Sequence, residues 1–442
     1  MAETAGPAGE PTAAPAAEPT AEPAGERTIA PDQHLAWILA RIPRLAPAEV
    51  PLRDAHGLIL AADVAAPHAL PLWDNSAMDG YAVRAADLAA AAPGVLDPPV
   101  SLRVVGEVAA GSPDDPELPP GTAVRIMTGA PIPSAADTVV PVEHTRGEEP
   151  GDPWGRDTVE ILRAPVRGAN VRVRGEDVAA NSILARAGDP LGARRLAALA
   201  AAGVSSARVR ARPRVAVIAT GSELRGPGEP LTRGQIPESN SLLLAALLAE
   251  HGIVAESVTV SADDAAAFRA RLAALAPTVD VIITTGGVGP GRHDIARIAL
   301  ESEPDVRAVR VAVRPGQPQC AGALRGGAWI FALPGNPVSA AVSFELFVVP
   351  ALRHVQGAHE LERPRLAATA ELGWRGVAGR LQVLPVRIAT EAGQLRCRPA
   401  VDPRGVSHAV GGHGGADGYA LVGAERGDVA PGERVDVILV GT

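Results

Sequence analysis

The 442-residue sequence contains no lysine, so all 41 of its fixed positive side chains are arginine. That absence excludes a P-loop, whose lysine reaches the nucleotide phosphates, and any enzyme that needs a Schiff-base amine. Cysteine is nearly absent as well. Cys320 and Cys397 are the only two, too few for a disulfide framework or a cysteine-based zinc site. Aromatic residues make up 2%, so the cores are expected to be built from Ala, Val and Leu. The net charge of −9 argues against a basic-patch nucleic-acid binder. No apolar run approaches the roughly 18 residues of a membrane span. The N-terminus lacks a basic segment followed by an apolar one, so no secretory signal is expected. The expected setting is cytoplasmic, with no nucleic-acid and no membrane partner.

Apolar residues reach 47%, and the chain carries 47 Gly and 42 Pro. At roughly 150 residues per domain, about three turn-rich domains are expected. Residues 1–26 contain no Val, Ile, Leu or aromatic residue and no basic one, which predicts a disordered tail. Pro31–Arg44 reads as a helix with Leu35, Ile38, Leu39 and Ile42 on one stripe. From Pro67 to about Arg163 the segments are short and Val-rich, with strands expected at Ser101–Val108, Thr122–Met127 and Thr138–Glu143. A strand over Val171–Val178 and a helix over Gly192–Ala202 follow.

A different texture begins at Arg214. Strands are expected at Val215–Ala219, Ile253–Val260, Val279–Thr284, Val306–Val313 and Ala328–Leu333. Helices are expected at Ser241–Glu250, from Ser261 as N-cap through Ala274, at Asp294–Ser302, and from Asn336-Pro337 through Val355. Strands alternating with helices imply a parallel sheet covered on both faces. After Gly357 the pattern returns to β, with strands at Leu366–Gly373, Leu381–Thr390, Gly418–Val422 and Arg434–Val440 and a flexible loop at Gly411–Gly418. The fold class is therefore multidomain α/β plus β: a central α/β parallel-sheet domain, β-rich N-terminal modules and a small, barrel-like C-terminal β domain.

Parallel sheets place ligands at the C-terminal ends of their strands. Three such ends bring Glu223, Asp263 and Asp294 to one edge. Converging carboxylates suit Mg²⁺, which prefers hard oxygen ligands. Each alone could equally serve a helix N-terminus electrostatically. Gly286 and Gly287 fail the dinucleotide spacing, because Arg292 stands where its last Gly belongs; a backbone nest for an oxyanion fits better. Arg310 and Arg314, four residues apart, are expected on one strand face, either gripping a tetrahedral oxyanion or guarding a solvated edge. Asp79 lies in a dense polar segment, Trp73–Tyr81, and Thr128 follows a strand in a Thr-Gly turn. The ten histidines show no metal-binding spacing.

Taken in order, these motifs are specific. Asp74-Asn75-Ser76-Ala77-Met78-Asp79-Gly80-Tyr81-Ala82, Ile126-Met127-Thr128-Gly129-Ala130-Pro131, Arg174-Gly175-Glu176-Asp177, Thr220-Gly221-Ser222-Glu223-Leu224, Gly234-Gln235-Ile236, Thr285-Gly286-Gly287-Val288 and Leu333-Pro334-Gly335-Asn336-Pro337-Val338-Ser339 resemble the molybdopterin molybdenumtransferase family. This is the bacterial MoeA type, related to the C-terminal domain of gephyrin, and the resemblance covers about residues 28–442. It implies insertion of molybdenum from molybdate into adenylylated molybdopterin with release of AMP, Mg²⁺ as cofactor, and an elongated homodimer whose cleft is shared between subunits. It further implies an elongated dimerisation domain at 27–66 and 164–212, a β-rich module at 67–163, a molybdopterin-binding α/β domain at 213–356 and a β domain at 357–442. Functional positions fall on Asp79, Thr128, Glu223, Asp263 and Asp294, with Glu223, Asp263 and Asp294 toward the metal. Substrate contacts fall on Gly286, Gly287, Arg310, Arg314, Pro334, Gly335, Asn336 and Ser339. Transient contacts with the adenylyltransferase and with molybdoenzyme targets follow from the same resemblance.

The departures are chemical. Arg310 and Arg314 stand where the family usually has Lys, Gln317 replaces another Lys, and the Gly-Gly-Val-Ser loop reads Gly286-Gly287-Val288-Gly289-Pro290. Two competing readings stay open: a molybdopterin carrier or scaffold without turnover, and an adenylyltransferase-like or pyrophosphatase-like activity of the shared α/β domain.

Overall fold

A computed structural model describes residues 28–88, 93–149, 151–261, 264–291 and 294–440. The expected disordered tail and Asp263 lie outside these residues. The chain forms two compact units. One contains the N-terminal segment through Ile42 with Arg214–Pro350 and Glu362–Thr442, and the other contains Pro43–Pro213 with Ala351–Leu361.

The first unit is built on a seven-stranded sheet. Val215–Thr220, Val281–Thr285 and Trp329–Leu333 are buried along their whole length, as expected of strands covered on both faces. The strand order is Thr28–Ile29, Asp305–Val311, Pro318–Ala323, Trp329–Leu333, Val281–Thr285, Val215–Thr220, Ala255–Ser261. The last four run parallel. The sheet as a whole is mixed rather than wholly parallel, because Pro318–Ala323 pairs antiparallel with both neighbours. Pro318 and Gly322 disguise that strand in the sequence. Gly322 is required there, since a Cβ would lie 2.1 Å from the Asp305 carbonyl oxygen. Val215–Thr220 is followed by a strand on one side and then by one on the other, so the chain reverses direction at the ends of Val215–Thr220 and Val281–Thr285. Such a switch point opens a crevice beyond the strand ends.

Helices cover this sheet. Ala265–Leu275 is capped by Asp264, whose carboxylate accepts the Ala266 and Ala267 N–H groups at 2.8 and 3.1 Å. Ser261, the expected cap, still belongs to the preceding strand. Phe268, Leu272, Ile295 and Ala299 pack with Ile218 and Ile330 in one core. Pro337–Val355 is long and apolar enough to cross a membrane, yet most of it is buried in the protein. Its middle, Phe344–Val348, winds as a π-helix, and buried Glu345 there is bound by Arg363 at 2.7 Å.

The C-terminal strands Leu366–Ala370, Leu381–Glu391, Gln394–Pro399, Gly418–Val422 and Arg434–Leu439 close into a five-stranded barrel. Gln394–Pro399, not expected from the sequence, is joined to its neighbour by a tight turn in which Ala392 and Gly393 have φ of 49° and 77°. The expected loop at Gly411–Gly418 begins inside a short helix, Val410–His413.

The second unit carries a six-stranded sheet, in the order Thr145–Arg146, Thr158–Ala164, Gly94–Val108, Thr122–Ile126, Gly80–Val83, Thr138–Pro141. Pro47–Pro51, Ser206–Arg210 and Ile59–Leu60 form a separate three-stranded sheet. The strand expected at Val171–Val178 shrinks to Val171–Arg172, paired with Asn75–Ser76; beyond it Gly175, at φ 77°, turns the chain. Gly80 fits because a Cβ would sit 2.0 Å from the Val140 carbonyl oxygen. Buried Tyr81 uses its hydroxyl oxygen to accept the Gly155 N–H at 2.7 Å.

Two predictions follow from burial. Tyr81→Phe leaves the Gly155 N–H without its acceptor and is expected to cost about 1–3 kcal/mol in denaturant unfolding. The second concerns His34, which is buried against Phe347 with Arg307 Nη2 at 2.9 Å from its Nδ1. Burial, with the Arg307 charge second, lowers its pKa to about 3. The folded protein thus keeps His34 neutral while the unfolded chain protonates it near the ordinary value of about 6.5. Stability should fall as pH drops through that window, by at most about 1.4 kcal/mol per pH unit from this group. Unfolding midpoints of His34→Gln should depend less on pH between these limits; an unchanged slope would remove His34 from the account.

Candidate active site

The crevice beyond the parallel strand ends is a cavity of about 1010 Å³. Its floor is set by close backbone approach. Gly286 has φ 97°, and a Cβ on it would lie 2.4 Å from the Thr220 carbonyl oxygen. Gly335 packs directly on Gly286, where its own Cβ would lie 3.3 Å from the Gly286 Cα. Side chains then stitch the loops together. Thr285 Oγ1 donates to the Pro334 carbonyl at 3.0 Å and accepts from Asn240 Nδ2 at 2.9 Å. The same Asn240 amide donates to the Gly335 carbonyl at 2.6 Å. Gly286 N–H donates to the Leu333 carbonyl at 3.1 Å.

This stitching brings the N-termini of Asn240–Glu250 and Pro337–Val355 to the cavity wall, where Ser239, Asn240, Asn336 and Pro337 line it. Helix N-termini present free N–H groups and a partial positive charge, which suits an anion. Glu238 secures one of them. It is buried, and its carboxylate accepts the Ser241 N–H at 2.9 Å and the Ser241 hydroxyl.

Most sequence-predicted residues meet here. Glu223, Asp294, Gly286, Gly287, Arg314, Pro334, Gly335, Asn336 and Ser339 all line the cavity. The Glu223 carboxylate folds over Gly221, so that a Cβ on that glycine would meet Oε2 at 2.6 Å. Asp294 is partly engaged, since its two oxygens accept the Gly289 and Gly291 N–H groups at 3.0 and 2.5 Å. Among the described residues no group of three His, Cys, Asp or Glu side chains is gathered to hold a metal. Glu223 and Asp294 nevertheless fit Mg²⁺ in kind, because that ion typically takes one or two carboxylates and completes its shell with substrate phosphates and water.

Arg310 and Arg314 do not share a strand face. Asp305–Val311 ends before Arg314, the Ala312 N–H donates to the Ile29 carbonyl, and Val313–Arg314 pairs instead with Leu381–Gln382 of the barrel. Alternation cannot be counted across that break. Arg314 lines the cavity and donates to the Arg404 carbonyl at 2.8 Å. Arg310 does not line it; its guanidinium donates to Gln317 Oε1 at 2.7 Å. Gln317 is a cavity residue whose Nε2 is buried with no acceptor among the described residues. The barrel contributes Arg380, Arg404, Ser407 and His408, which sequence reasoning missed because barrel closure, not a motif, places them there. Asn240 and Glu238 were also missed, although Glu-Ser-Asn ahead of an apolar helix is a capping signal.

Asp79 and Thr128 meet each other in the second unit. Thr128 donates its N–H and its hydroxyl to Asp79 Oδ1 at 2.6 and 2.7 Å. These bonds, the backbone one first, hold the Asp79 carboxyl below the usual carboxylate range. The surrounding segment is pinned, with Ser76 and Gly129–Ala130 exchanging backbone bonds and the Arg174 N–H donating to Asp74.

Comparison with known proteins covers nearly the whole described chain. Residues 29–203 match the MoeA N-terminal region (domain I and II), 216–354 a probable molybdopterin binding domain, and 367–440 the MoeA C-terminal region (domain IV). Molybdopterin molybdenumtransferase 2 of Mycobacterium tuberculosis is 42% identical over 355 residues, 79% of this chain and 85% of that protein. The molybdopterin molybdenumtransferase of Haemophilus influenzae is 33% identical over 388 residues, 87% and 92% of the two chains. A crystal structure of the molybdopterin biosynthesis moeA protein from Pyrococcus horikoshii OT3 superimposes with a TM-score of 0.76 at 27% identity, over 94% of this chain and 100% of that one. With all three regions matched in order and the cavity lined by the motif residues, the chain belongs to the molybdopterin molybdenumtransferase family.

Proposed function

We propose that this enzyme of molybdenum cofactor biosynthesis transfers molybdenum from molybdate to adenylylated molybdopterin and releases AMP. The observation that carries the reading is one cavity combining glycine-lined strand ends, two helix N-termini and arginines. The phosphoanhydride of the substrate calls for backbone donors, which Gly286, Gly287 and the first turn after Asn336 are placed to offer. Molybdate is a tetrahedral dianion; Arg314 and Arg380 supply fixed charge for it, and Gln317 an amide whose orientation Arg310 dictates. Mg²⁺ held by Glu223 and Asp294 would neutralise phosphate charge. Arg314, tethered to the Arg404 carbonyl, keeps its guanidinium in place without a carboxylate neutralising it. Asp79, kept ionised by Thr128, is a second anionic element of the machinery, and the working form is taken to be a homodimer.

The test is AMP release from adenylylated molybdopterin, followed with and without molybdate. Molybdate-dependent release is expected, and it should stop with EDTA and return with Mg²⁺. Tight pterin binding without AMP release would overturn the enzymatic reading in favour of a carrier. Glu223→Gln is expected to lower the rate by about a hundredfold or more, the scale typical of lost charge stabilisation. Arg314→Gln should act differently, raising the molybdate KM by about tenfold, since one charge-assisted contact is worth roughly 1.5–3 kcal/mol. A normal molybdate KM in that variant would place the oxyanion elsewhere.

A further inference from the structure

We propose that a second pocket, formed by the N-terminal helix segment and the far end of the seven-stranded sheet, binds a small oxyanion such as phosphate or a carboxylate. It encloses about 440 Å³ and is lined by Trp37, Arg41, Arg307 and Trp329, with Asp305 on its rim. Trp329 begins the strand whose other end, Leu333, leads into Pro334 of the active-site cavity, so the two pockets lie at opposite ends of one strand.

The argument rests on uncompensated positive charge. The Arg307 guanidinium carbon lies 3.8 Å from the Trp37 ring centroid, and that of Arg41 lies 4.7 Å from the same centroid. Two guanidiniums share one indole, an arrangement that cation–π attraction favours but mutual repulsion opposes. Neither forms an ion pair with a carboxylate among the described residues. Arg41 reaches only the Trp37 carbonyl, at 3.5 Å. Arg307 is directed to the uncharged ring of His34. Two more donors beneath the pocket, Arg307 Nε and Trp329 Nε1, are buried without a hydrogen-bond partner. Trp329 itself is 2% exposed. Burial and the charge of Arg41 pull the pKa of Arg307 down to about 10, an independent sign that the pair lacks a counter-charge.

A site made of guanidinium and indole donors cannot hold a cation, and its polar groups offer almost nothing to a ligand that donates. Oxyanions match it: planar guanidiniums bind carboxylate and phosphate oxygens in pairs, and bringing a negative charge between Arg41 and Arg307 converts their repulsion into attraction. Asp305 disfavours large polyanions at the rim, which leaves a compact mono- or dianion as the ligand.

Tryptophan emission of the full-length protein reports on the site, because Trp37 and Trp329 are two of five tryptophans and the active-site cavity is lined by none. Titration with inorganic phosphate and, separately, with acetate distinguishes the two ligand classes, with sodium chloride at matched ionic strength as control. A saturable change is expected with one or both anions and not with chloride. Arg41→Gln should weaken it by about tenfold or more, the loss expected for one charge-assisted contact. Trp37→Phe should remove most of the signal, and Arg314→Gln, in the other cavity, should leave it intact. Thermal unfolding under the same conditions gives a second readout, in which phosphate or acetate raises the Tm of the wild type but not of Arg41→Gln. No response to either anion, a chloride response of equal size, or an unchanged affinity in Arg41→Gln would each overturn the proposal.

Discussion

The site depends on one contact, the approach of the Gly286 peptide to the Thr220 carbonyl oxygen. Where a Cβ would lie 2.4 Å from that oxygen, only glycine lets the two strand ends close up. Everything above the floor is built from that closeness. Thr285 can then reach the Pro334 carbonyl, and Asn240 can bridge Thr285 and the Gly335 carbonyl. Through those bonds two helices are held with their N-termini at one cavity. The α/β core supplies rigidity beneath this arrangement, with Ile218, Ile282 and Ile330 buried on the strands. Ligand contact is left to backbone groups and a few charged side chains.

An arginine-only chain solves its electrostatics in a particular way. Guanidinium groups are planar and present several donors at once, so they can be anchored by one nitrogen while the others stay available. Arg314 is anchored by a backbone carbonyl rather than by a carboxylate, which leaves its charge unneutralised. Arg310 is anchored on the Gln317 amide and thereby acts on the cavity through another side chain. The same logic explains the Trp37 pocket, where Arg41 and Arg307 are positioned by an aromatic face in place of an acid.

Much of this was legible in the residues. The apolar runs at Val215–Thr220 and Val281–Thr285 announce buried parallel strands, and polar residues at strand ends announce a ligand site before any geometry is known. Local capping was less legible: Ser261 and Asp264 are both good cap residues, and only the extra pairing of Ser261 with Thr220 settles between them. The antiparallel strand Pro318–Ala323 escaped notice because Pro and Gly ordinarily mark turns, whereas here Pro318 opens the strand and Gly322 permits close strand contact. Arg310 and Arg314 were misjudged because counting by twos assumes an unbroken strand. The barrel's contribution, Arg380, Arg404 and His408, has no local signal at all; it arises from closure of strands far apart in sequence.

The π-helical stretch Phe344–Val348 also bears on how this chain can change over time. A π turn accommodates one residue more than the α-helical winding around it. Losing one residue there would restore regular winding but turn the following segment by about 100° about its axis. Ala351, Leu352 and Val355, all buried, would swing away from their present neighbours, and buried Glu345 would lose its alignment with Arg363. Surface loops of this protein are free to lengthen or shorten, whereas the middle of this helix tolerates substitution but not a change in residue count.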